Sequence, residues 1–182
     1  MSVLQERYLR DGPWTEPEFL ALPEDRRVEL LDGELLVSPS ASSRHQRLSF
    51  RLCVALEAAR PAGMEVLEAV NVRVGPDRIL IPDLAIVTRP EEDIAVFDAA
   101  DVLMLVEIAS PSNVAIDRAI KPQLYAAAGI PYYVRIECTG PTALPHRLHD
   151  GRYIADGGGS VLRLQDPFPV EVDLPKLLGV RR

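Results

Sequence analysis

Cysteine, lysine and long apolar runs are all scarce in this 182-residue sequence. The two cysteines, Cys53 and Cys138, lie far apart and form no CxxC pair, which argues against a zinc ribbon or a disulfide scaffold. No segment approaches the ~18 consecutive apolar residues that a membrane helix needs. The charged N-terminal residues also lack the pattern of a secretory signal. We therefore expect a cytoplasmic protein that has no membrane partner.

An excess of positive charge is absent as well. The formal net charge is -7 at pH 7 and the sequence pI is about 5.0. Such a protein repels polyanions as a whole, so any nucleic-acid site must be a local basic patch. Among the 20 lysines and arginines only Lys121 and Lys176 are lysines. A lysine that persists against this bias is a candidate for catalysis, in which a planar guanidinium cannot imitate a compact ammonium.

Hydrophobic residues at 47% and charged residues at 26% are ordinary values for a globular protein. The length fits one domain, residues 1–182, with a core of its own. Apolar periodicity and turn residues predict an α/β fold with a mixed sheet. In chain order the predicted elements are a helix at 15–22, a hairpin of 27–31 and 34–37, a helix at 43–60, strands at 66–74, 79–87 and 101–109, a helix from 113 to about 128, a strand at 132–137, a hairpin of 144–148 and 152–155, strands at 161–164 and 170–172, and a helical turn at 174–178.

Two acidic residues interrupt apolar runs that are typical of buried strands. Glu107 lies within the run 102–109, and Asp83 lies within the run 79–87. A buried, isolated carboxylate loses much of its hydration energy, so each acid needs a cation or a wet cleft. Two acids on neighbouring strands indicate a site for Mg²⁺ or Mn²⁺, which prefer hard oxygen ligands. Together with Lys121 on the next segment, they are suited to phosphodiester hydrolysis.

Motifs along most of the chain resemble those of one known family. They are Val-Glu-Leu-Leu-Asp-Gly-Glu at 28–34, Ser-Arg-His at 43–45, Ile-Pro-Asp at 81–83, Val-Glu-Ile-Ala-Ser-Pro-Ser at 106–112, and Asp117, Lys121, Tyr125 and Gly129. In this order they resemble the Uma-type putative restriction endonucleases of bacteria, within the PD-(D/E)XK nuclease superfamily. The resemblance implies a restriction-endonuclease-like fold, with a central mixed β-sheet flanked by helices and additional β-hairpins. It also implies an Mg²⁺-dependent endonuclease that acts on DNA.

The resemblance further implies roles for individual residues. Asp83 and Glu107 would bind the divalent metal, and the main-chain carbonyl of Ile108 would be a further ligand. In the superfamily pattern the lysine stands two residues after the acid, where this chain has Ala109. The resemblance therefore implies that Lys121, on the following helix, is the catalytic lysine.

Other residues are expected around the same cleft. Glu29 would be the additional acid that the N-terminal part supplies, and His45 and Gln46 would approach the substrate. Arg44 and Arg118 are candidates for phosphate contacts that supply the local positive charge. We also expect a two-fold homodimer, because paired sites suit the cleavage of both strands of a duplex.

Less specific interpretations of the same residues stay open. Asp83 could be a strand-edge acid after a proline, and Glu107 could pair with an arginine. Lys121 could be a solvated partner of Asp117, and Glu29 could join a cross-strand salt bridge. The proline after Lys121 predicts that the lysine lies at a kink or just before a helix. For the chain as a whole, the alternative is a non-catalytic nucleic-acid or protein interaction module that retains the nuclease fold.

Overall fold

The computed structural model describes residues 12–23, 27–38, 40–89, 92–109 and 119–179 of the chain. The helices in these segments are α1 (Glu16–Leu20), α2 (Ser43–Ala59), α3 (Lys121–Ala127) and α4 (Leu174–Leu177), with a 3-10 turn at Ala99–Asp101. The strands are β1 (Val28–Leu31), β2 (Glu34–Val37), β3 (Glu65–Glu68), β4 (Val72–Gly75), β5 (Arg78–Leu80), β6 (Leu84–Val87), β7 (Phe97–Asp98), β8 (Val102–Ala109), β9 (Tyr132–Glu137), β10 (Thr142–His149), β11 (Arg152–Ala155), β12 (Val161–Leu164) and β13 (Val170–Asp173). This is a mixed α/β protein, as the sequence predicts.

Most strands belong to two sheets. One has six strands in the order β11-β10-β9-β8-β6-β3 and is parallel only between β8 and β9. The other has five strands in the order β2-β1-β5-β4-β7. Parallel neighbours need a crossover connection, so the chain passes through α3 between β8 and β9. The crossover places Lys121, the first residue of α3, at the end of β8 that carries Glu107.

Two hairpins form where the sequence predicts them. Asp32 and Gly33 connect β1 to β2 with φ angles of 52° and 84°. Asp150 and Gly151 connect β10 to β11 with φ angles of 45° and 73°. Positive φ at both central positions is the geometry of a two-residue turn that matches the twist of the strands, and it favours Asp-Gly.

The six-stranded sheet is covered on both faces. Leu48, Leu52 and Leu56 of α2 pack against one face in the largest apolar cluster. On the other face, Tyr125 of α3 packs in a second cluster that also contains residues of the five-stranded sheet. Neighbouring residues of β8 point to opposite faces. Ile108 therefore belongs to the α2 side, and Glu107 projects towards α3.

The two predicted strands at 66–74 and 79–87 are wrong as continuous strands. Each is broken, into β3 and β4 and into β5 and β6, and the chain changes sheets at both breaks. Ala69 adopts a φ of 54° at the first break. Pro82 lacks the N–H that a strand ladder needs at the second. Asp83 therefore lies in the break before β6 and not inside a strand.

The C-terminal strands β12 and β13 exist, but they do not complete the mixed sheet. They form a separate two-stranded sheet. The segment before β12 does reach β10, where Gly159 and Ala143 exchange two backbone hydrogen bonds, but β12 itself pairs with β13. Apolar side chains of this small sheet instead pack in the cluster under α2.

The predicted helix from 113 to about 128 is described only in its second part. That part, α3, begins at Lys121 with Pro122 in its first turn, so the lysine is the first residue of the helix and does not lie before it. Residues 110–118, which include part of the family motif, lie outside the described residues. In the segments that the structure describes, no helix is long and apolar enough to cross a membrane.

Candidate active site

Five of the polar residues selected from the sequence are buried in the structure. The exposed fraction is 4% for Glu29, 7% for His45, 7% for Asp83, 3% for Glu107 and 5% for Lys121. They come from β1, α2, the break before β6, β8 and α3, so only the tertiary fold brings them together. None is a solvated surface charge, and the interpretation of Lys121 as a solvated helix residue is therefore wrong.

Glu29, Glu107 and Lys121 form one group, which we call the lysine cluster. The Nζ atom of Lys121 lies 2.8 Å from Oε1 of Glu29 and 3.2 Å from Oε1 of Glu107. The hydroxyl of Tyr125, one helical turn after Lys121, donates to the same Glu107 oxygen at 2.6 Å. The backbone N–H of Ile81 donates to Glu29 Oε1 at 2.7 Å. These contacts offset the loss of hydration that burial imposes on the two carboxylates.

The interpretation of Glu29 as a cross-strand partner is wrong. In the hairpin of β1 and β2, Glu29 stands opposite Leu36, which carries no charge. Its partner is Lys121, which is 92 positions away in the sequence. The pairing thus depends on the packing of the two sheets and α3.

Asp83, His45 and Arg27 form a second group, the aspartate cluster. Oδ2 of Asp83 accepts the backbone N–H of Ile108 at 2.7 Å and lies 3.2 Å from Nε2 of His45. Oδ1 of Asp83 accepts a hydrogen bond from the Arg27 guanidinium at 3.1 Å. The same guanidinium group donates to the carbonyls of Ile81 and Pro82 at 3.3 Å each. Arg27 therefore holds both the carboxylate and the backbone of the strand break.

Opposite charges set the protonation states of the aspartate cluster. Burial raises the pKa of the Asp83 carboxyl, but the hydrogen bond and the charge of His45, with the charge of Arg27, lower it by more. Burial likewise lowers the pKa of His45, whereas Asp83 raises it above its ordinary value. The net directions favour an ionised carboxylate facing a protonated imidazole. Nδ1 of His45 is buried without a hydrogen-bond partner among the described residues.

Tyr125 keeps its proton in this environment. Burial, together with the charges of Glu107 and Glu29, raises the pKa of the Tyr125 hydroxyl well above 10.0. A hydroxyl in this state can only donate to the carboxylate it faces. Tyr125 therefore fixes the position of Glu107 Oε1 beside the lysine.

One peptide unit joins the two clusters. The side chain of Glu107 belongs to the lysine cluster, and the N–H of Ile108, the next residue, binds Asp83. The register between β6 and β8 pairs Leu84 with Val106, so Asp83 comes next to Glu107 at the end of this ladder. The structure thus places the two predicted metal ligands beside the same peptide unit, Glu107 through its own side chain and Asp83 through the N–H of Ile108.

Of the remaining predicted contacts, the structure describes Arg44 and Gln46. Arg44 donates to the carbonyl of Cys138 at 3.0 Å, and Gln46 is exposed on α2. Arg118 lies outside the described residues. Arg73 and Arg78 pair with acidic side chains, Arg73 with Glu16 and Asp98 and Arg78 with Asp32. Both arginines are therefore largely neutralised by their own neighbours.

Three contributors were not assigned a role from the sequence. Arg27 stands two positions before Glu29, and the alternation of a strand places both on one face. Tyr125 stands four positions after Lys121, which places both on one side of a helix. Ser49, one turn after His45, is buried and donates to Glu68 at 2.8 Å. Spacing in the sequence could have identified Arg27 and Tyr125. It could not have identified the contact between Ser49 of α2 and Glu68 of β3.

The donor set of the two clusters fits a hard dication with few protein ligands. Among the described residues no group of three or more His, Cys, Asp and Glu side chains is close enough to hold a metal. Mg²⁺, however, is usually bound by one or two carboxylates and keeps several waters. Asp83, Glu107 and the carbonyl of Ile108 offer oxygen ligands of that kind.

The fold and the two clusters define an α/β protein with buried acids and a buried lysine at one end of a mixed sheet. Residues 16–176 match the model of the Uma2 family, described as "Putative restriction endonuclease", and the chain belongs to this family. The fold is similar to the crystal structure of a putative nuclease belonging to DUF820 from Anabaena variabilis, with a TM-score of 0.74 and 17% identity over 92% of this chain and 99% of that chain. No curated protein matches the chain. The predicted family and the restriction-endonuclease-like fold are thus confirmed, and together they support a nuclease.

Proposed function

We propose that this protein is a metal-dependent endonuclease that hydrolyses phosphodiester bonds of DNA. The observation that carries the proposal is the position of the Lys121 ammonium, which lies within 3.2 Å of a carboxylate oxygen of both Glu29 and Glu107. A buried lysine held between two acids at a strand end is expensive to maintain for packing alone, because apolar residues of similar volume would avoid the loss of hydration. It is the arrangement that a lysine with a chemical role needs.

Asp83, Glu107 and the carbonyl of Ile108 would hold Mg²⁺ or Mn²⁺. When bound, such an ion polarises a phosphoryl oxygen and lowers the pKa of a bound water. The site would lie where the two clusters meet, at the Glu107–Ile108 peptide.

Lys121 would steady the attacking water through its ammonium. Glu29 holds that ammonium at 2.8 Å and is itself held by the N–H of Ile81. We therefore assign Glu29 the role of positioning the lysine. Tyr125 positions Glu107 in the same way, because its hydroxyl donates a hydrogen bond to Oε1 of Glu107.

On the other side, His45 and the arginines would receive the substrate. In the protonated imidazole, Nδ1 of His45 can donate one further hydrogen bond to a water or to a phosphate oxygen. Arg44, Gln46 and Arg118 would contact the DNA backbone close to His45, and would supply the local positive charge that an acidic protein needs. We further propose that residues 1–182 act as one domain, as a homodimer, in the cytoplasm.

A plasmid-nicking assay tests the activity. With Mg²⁺ or Mn²⁺ we expect the wild-type protein to nick supercoiled DNA, and Glu107→Gln and Lys121→Ala to lose at least about 100-fold in rate, as expected when a group that acts in the transition state is removed. Lys176→Ala is the matched control, because Lys176 is the second lysine of the chain and is exposed. It should nick like the wild type. Equal rates in all four proteins would mean that the nicking comes from a contaminant.

Thermal melting distinguishes the nuclease from the non-catalytic interaction module. An ion that binds only the folded state raises the melting temperature. Millimolar Mn²⁺ should therefore stabilise the wild type, but not Asp83→Asn or Glu107→Gln, which keep the shape of the side chains. If Mn²⁺ shifts none of the three, and no nicking is seen, the interaction module is the better description.

A further inference from the structure

Phe50 differs from the other phenylalanines of this chain in its exposure to solvent. The other three, Phe19, Phe97 and Phe168, are 7%, 2% and 3% exposed, whereas Phe50 is 61% exposed. It lies on the outer side of α2, opposite the leucines that face the core. Val54, one helical turn further on, is 53% exposed. The two side chains form an apolar strip on the outer surface of the helix.

Two charges of opposite sign flank this strip. A helix places positions three and four apart on the same face, so Arg47 precedes Phe50 and Glu57 follows Val54 along one line. Arg47 is exposed and has no partner in the part of the chain that the structure describes. The Glu57 side chain is 40% exposed, although one of its oxygens binds Arg60 and the other accepts the backbone N–H of Val66. Along this line the side chains are therefore, in order, basic, large apolar, smaller apolar and acidic.

This order is complementary to itself when the helix is reversed. Positions 50 and 54 lie two residues on either side of position 52, and positions 47 and 57 lie five residues on either side of it. In an antiparallel pair of α2 helices centred on position 52, Phe50 of each copy faces Val54 of the other. Arg47 of each copy likewise faces Glu57 of the other. A two-fold axis repeats each contact, as closed dimers require.

We propose that the α2 surface formed by Arg47, Phe50, Val54 and Glu57 is the interface of a two-fold homodimer. The shape of the neighbouring surface agrees with this occupant. A groove of about 600 Å³ runs beside the second half of α2, and Ala55, Ala58 and Ala59 line its helical side. In the antiparallel pair, the half of α2 that carries the bulky Phe50 in one copy thus faces the half that carries small residues in the other copy. Parallel pairing would instead set the bulky halves and the like charges against each other.

The proposed interface does not depend on the proposed nuclease activity. The outward-facing side chains of α2 do not include His45, which points inwards to Asp83 in the aspartate cluster. The other exposed large apolar residues of the described segments, such as Ile154 on β11 with 53% exposure, belong to other elements. The α2 surface can therefore be tested by mass alone, without a DNA substrate.

Sedimentation velocity of the full chain gives the first test. We expect a dimer at micromolar concentration for the wild type, and a dissociation constant at least about 30-fold higher for Phe50→Asp, which removes a central anchor of the interface. Ile154→Asp is the matched control, with a similarly exposed apolar side chain on another surface, and should dimerise like the wild type. Because Phe50 is exposed, the thermal melt of the monomeric variant should confirm that it is folded. A monomeric wild type, or a Phe50→Asp protein that still dimerises, would overturn the proposal.

A mixing experiment tests the alignment of the two helices. Arg47→Glu alone places two acids opposite each other at both ends of the interface, and Glu57→Arg alone places two arginines there. Each variant should be mainly monomeric. When they are mixed, every pair is again of opposite charge, so the mixture should form heterodimers. A mixture that stays monomeric, although both variants are folded by circular dichroism, would contradict this antiparallel arrangement.

Discussion

The lysine cluster and the aspartate cluster share one peptide bond but neutralise their carboxylates in different ways. In the lysine cluster the cation is Lys121, whose side chain is 6% exposed, and both acids are buried with it. The aspartate cluster has two cationic partners, His45, whose side chain is 9% exposed, and Arg27, whose side chain is 32% exposed. Water can therefore replace Arg27 in the aspartate cluster, whereas the cation of the lysine cluster has no such substitute.

This difference indicates how the two clusters share the work. A group that must hold an attacking water in a fixed place benefits from a rigid, enclosed setting. A group that must admit an ion or a phosphate from solution needs a partner that can move away. We therefore expect the lysine cluster to position the attacking water and the aspartate cluster to receive the ion or the phosphate. Four predictions test this contrast, from the largest effect to the smallest.

The largest loss of stability is expected from Lys121→Met. The substitution leaves Glu29 and Glu107 buried without their cation, and breaking one side of a buried ion pair costs about 3–5 kcal/mol. The melting temperature should fall by about 10 °C for a chain of this size. Calorimetry or a dye-based melt measures the change, and Lys176→Met should change stability by less than about 0.5 kcal/mol.

A triple variant separates charge from packing in that result. Glu29→Gln and Glu107→Gln, added to Lys121→Met, remove both uncompensated charges and keep the volumes. We expect the triple variant to recover most of the lost stability. If it stays as unstable as Lys121→Met, the lysine contributes by packing and not by charge.

Tyr125→Phe should have the next largest effect. It removes the hydrogen bond to Glu107 Oε1, and hydrogen bonds to charged groups contribute about 1.5–3 kcal/mol. No water can take its place, because Tyr125 is completely buried. Urea unfolding should show a lower midpoint at an unchanged slope. An unchanged midpoint would mean that the cluster relaxes to a new arrangement.

Arg27→Gln should be milder, with a loss of about 1 kcal/mol. Asp83 keeps the N–H of Ile108 and the imidazole of His45, and water can reach the vacated position. The same urea titration measures the loss. A loss as large as that of Lys121→Met would show that the aspartate cluster is as enclosed as the lysine cluster.

Salt gives the smallest but most selective test. Raising NaCl from about 0.1 M to about 1 M shortens the screening length from about 10 Å to about 3 Å, which weakens exposed charge pairs more than buried ones. The stability difference between wild type and Arg27→Gln should shrink by a few tenths of a kcal/mol. The difference for Lys121→Met should stay constant. If the two stability differences depended equally on salt, the proposed difference in enclosure between the two clusters would be wrong.

Local signals predicted a large part of the fold. The Asp32-Gly33 and Asp150-Gly151 turns and the helix with Leu48, Leu52 and Leu56 on one side follow from backbone preferences and spacing. The breaks at 69 and 82 were missed because an apolar run does not say which sheet its residues join. Pro82 was the one available signal, since it cannot donate to a ladder.

The candidate residues were selected by sequence, but their partners were not. The unusual chemistry of Glu107, Asp83 and Lys121 is visible in the chain because a charge in an apolar run requires compensation. The contact between Lys121 and Glu29 joins a helix to a strand of another sheet, and no spacing rule reaches across such a distance.

By itself, then, the sequence determined the family, the kinds of secondary structure and the residues that carry charge into the core. These depend on local propensity and composition, which each segment expresses on its own. Only the tertiary structure decided which cation neutralises which carboxylate, and which face of α2 stays uncovered. Those outcomes depend on how sheets and helices stack, because electrostatic compensation and burial arise between segments that are distant in the chain.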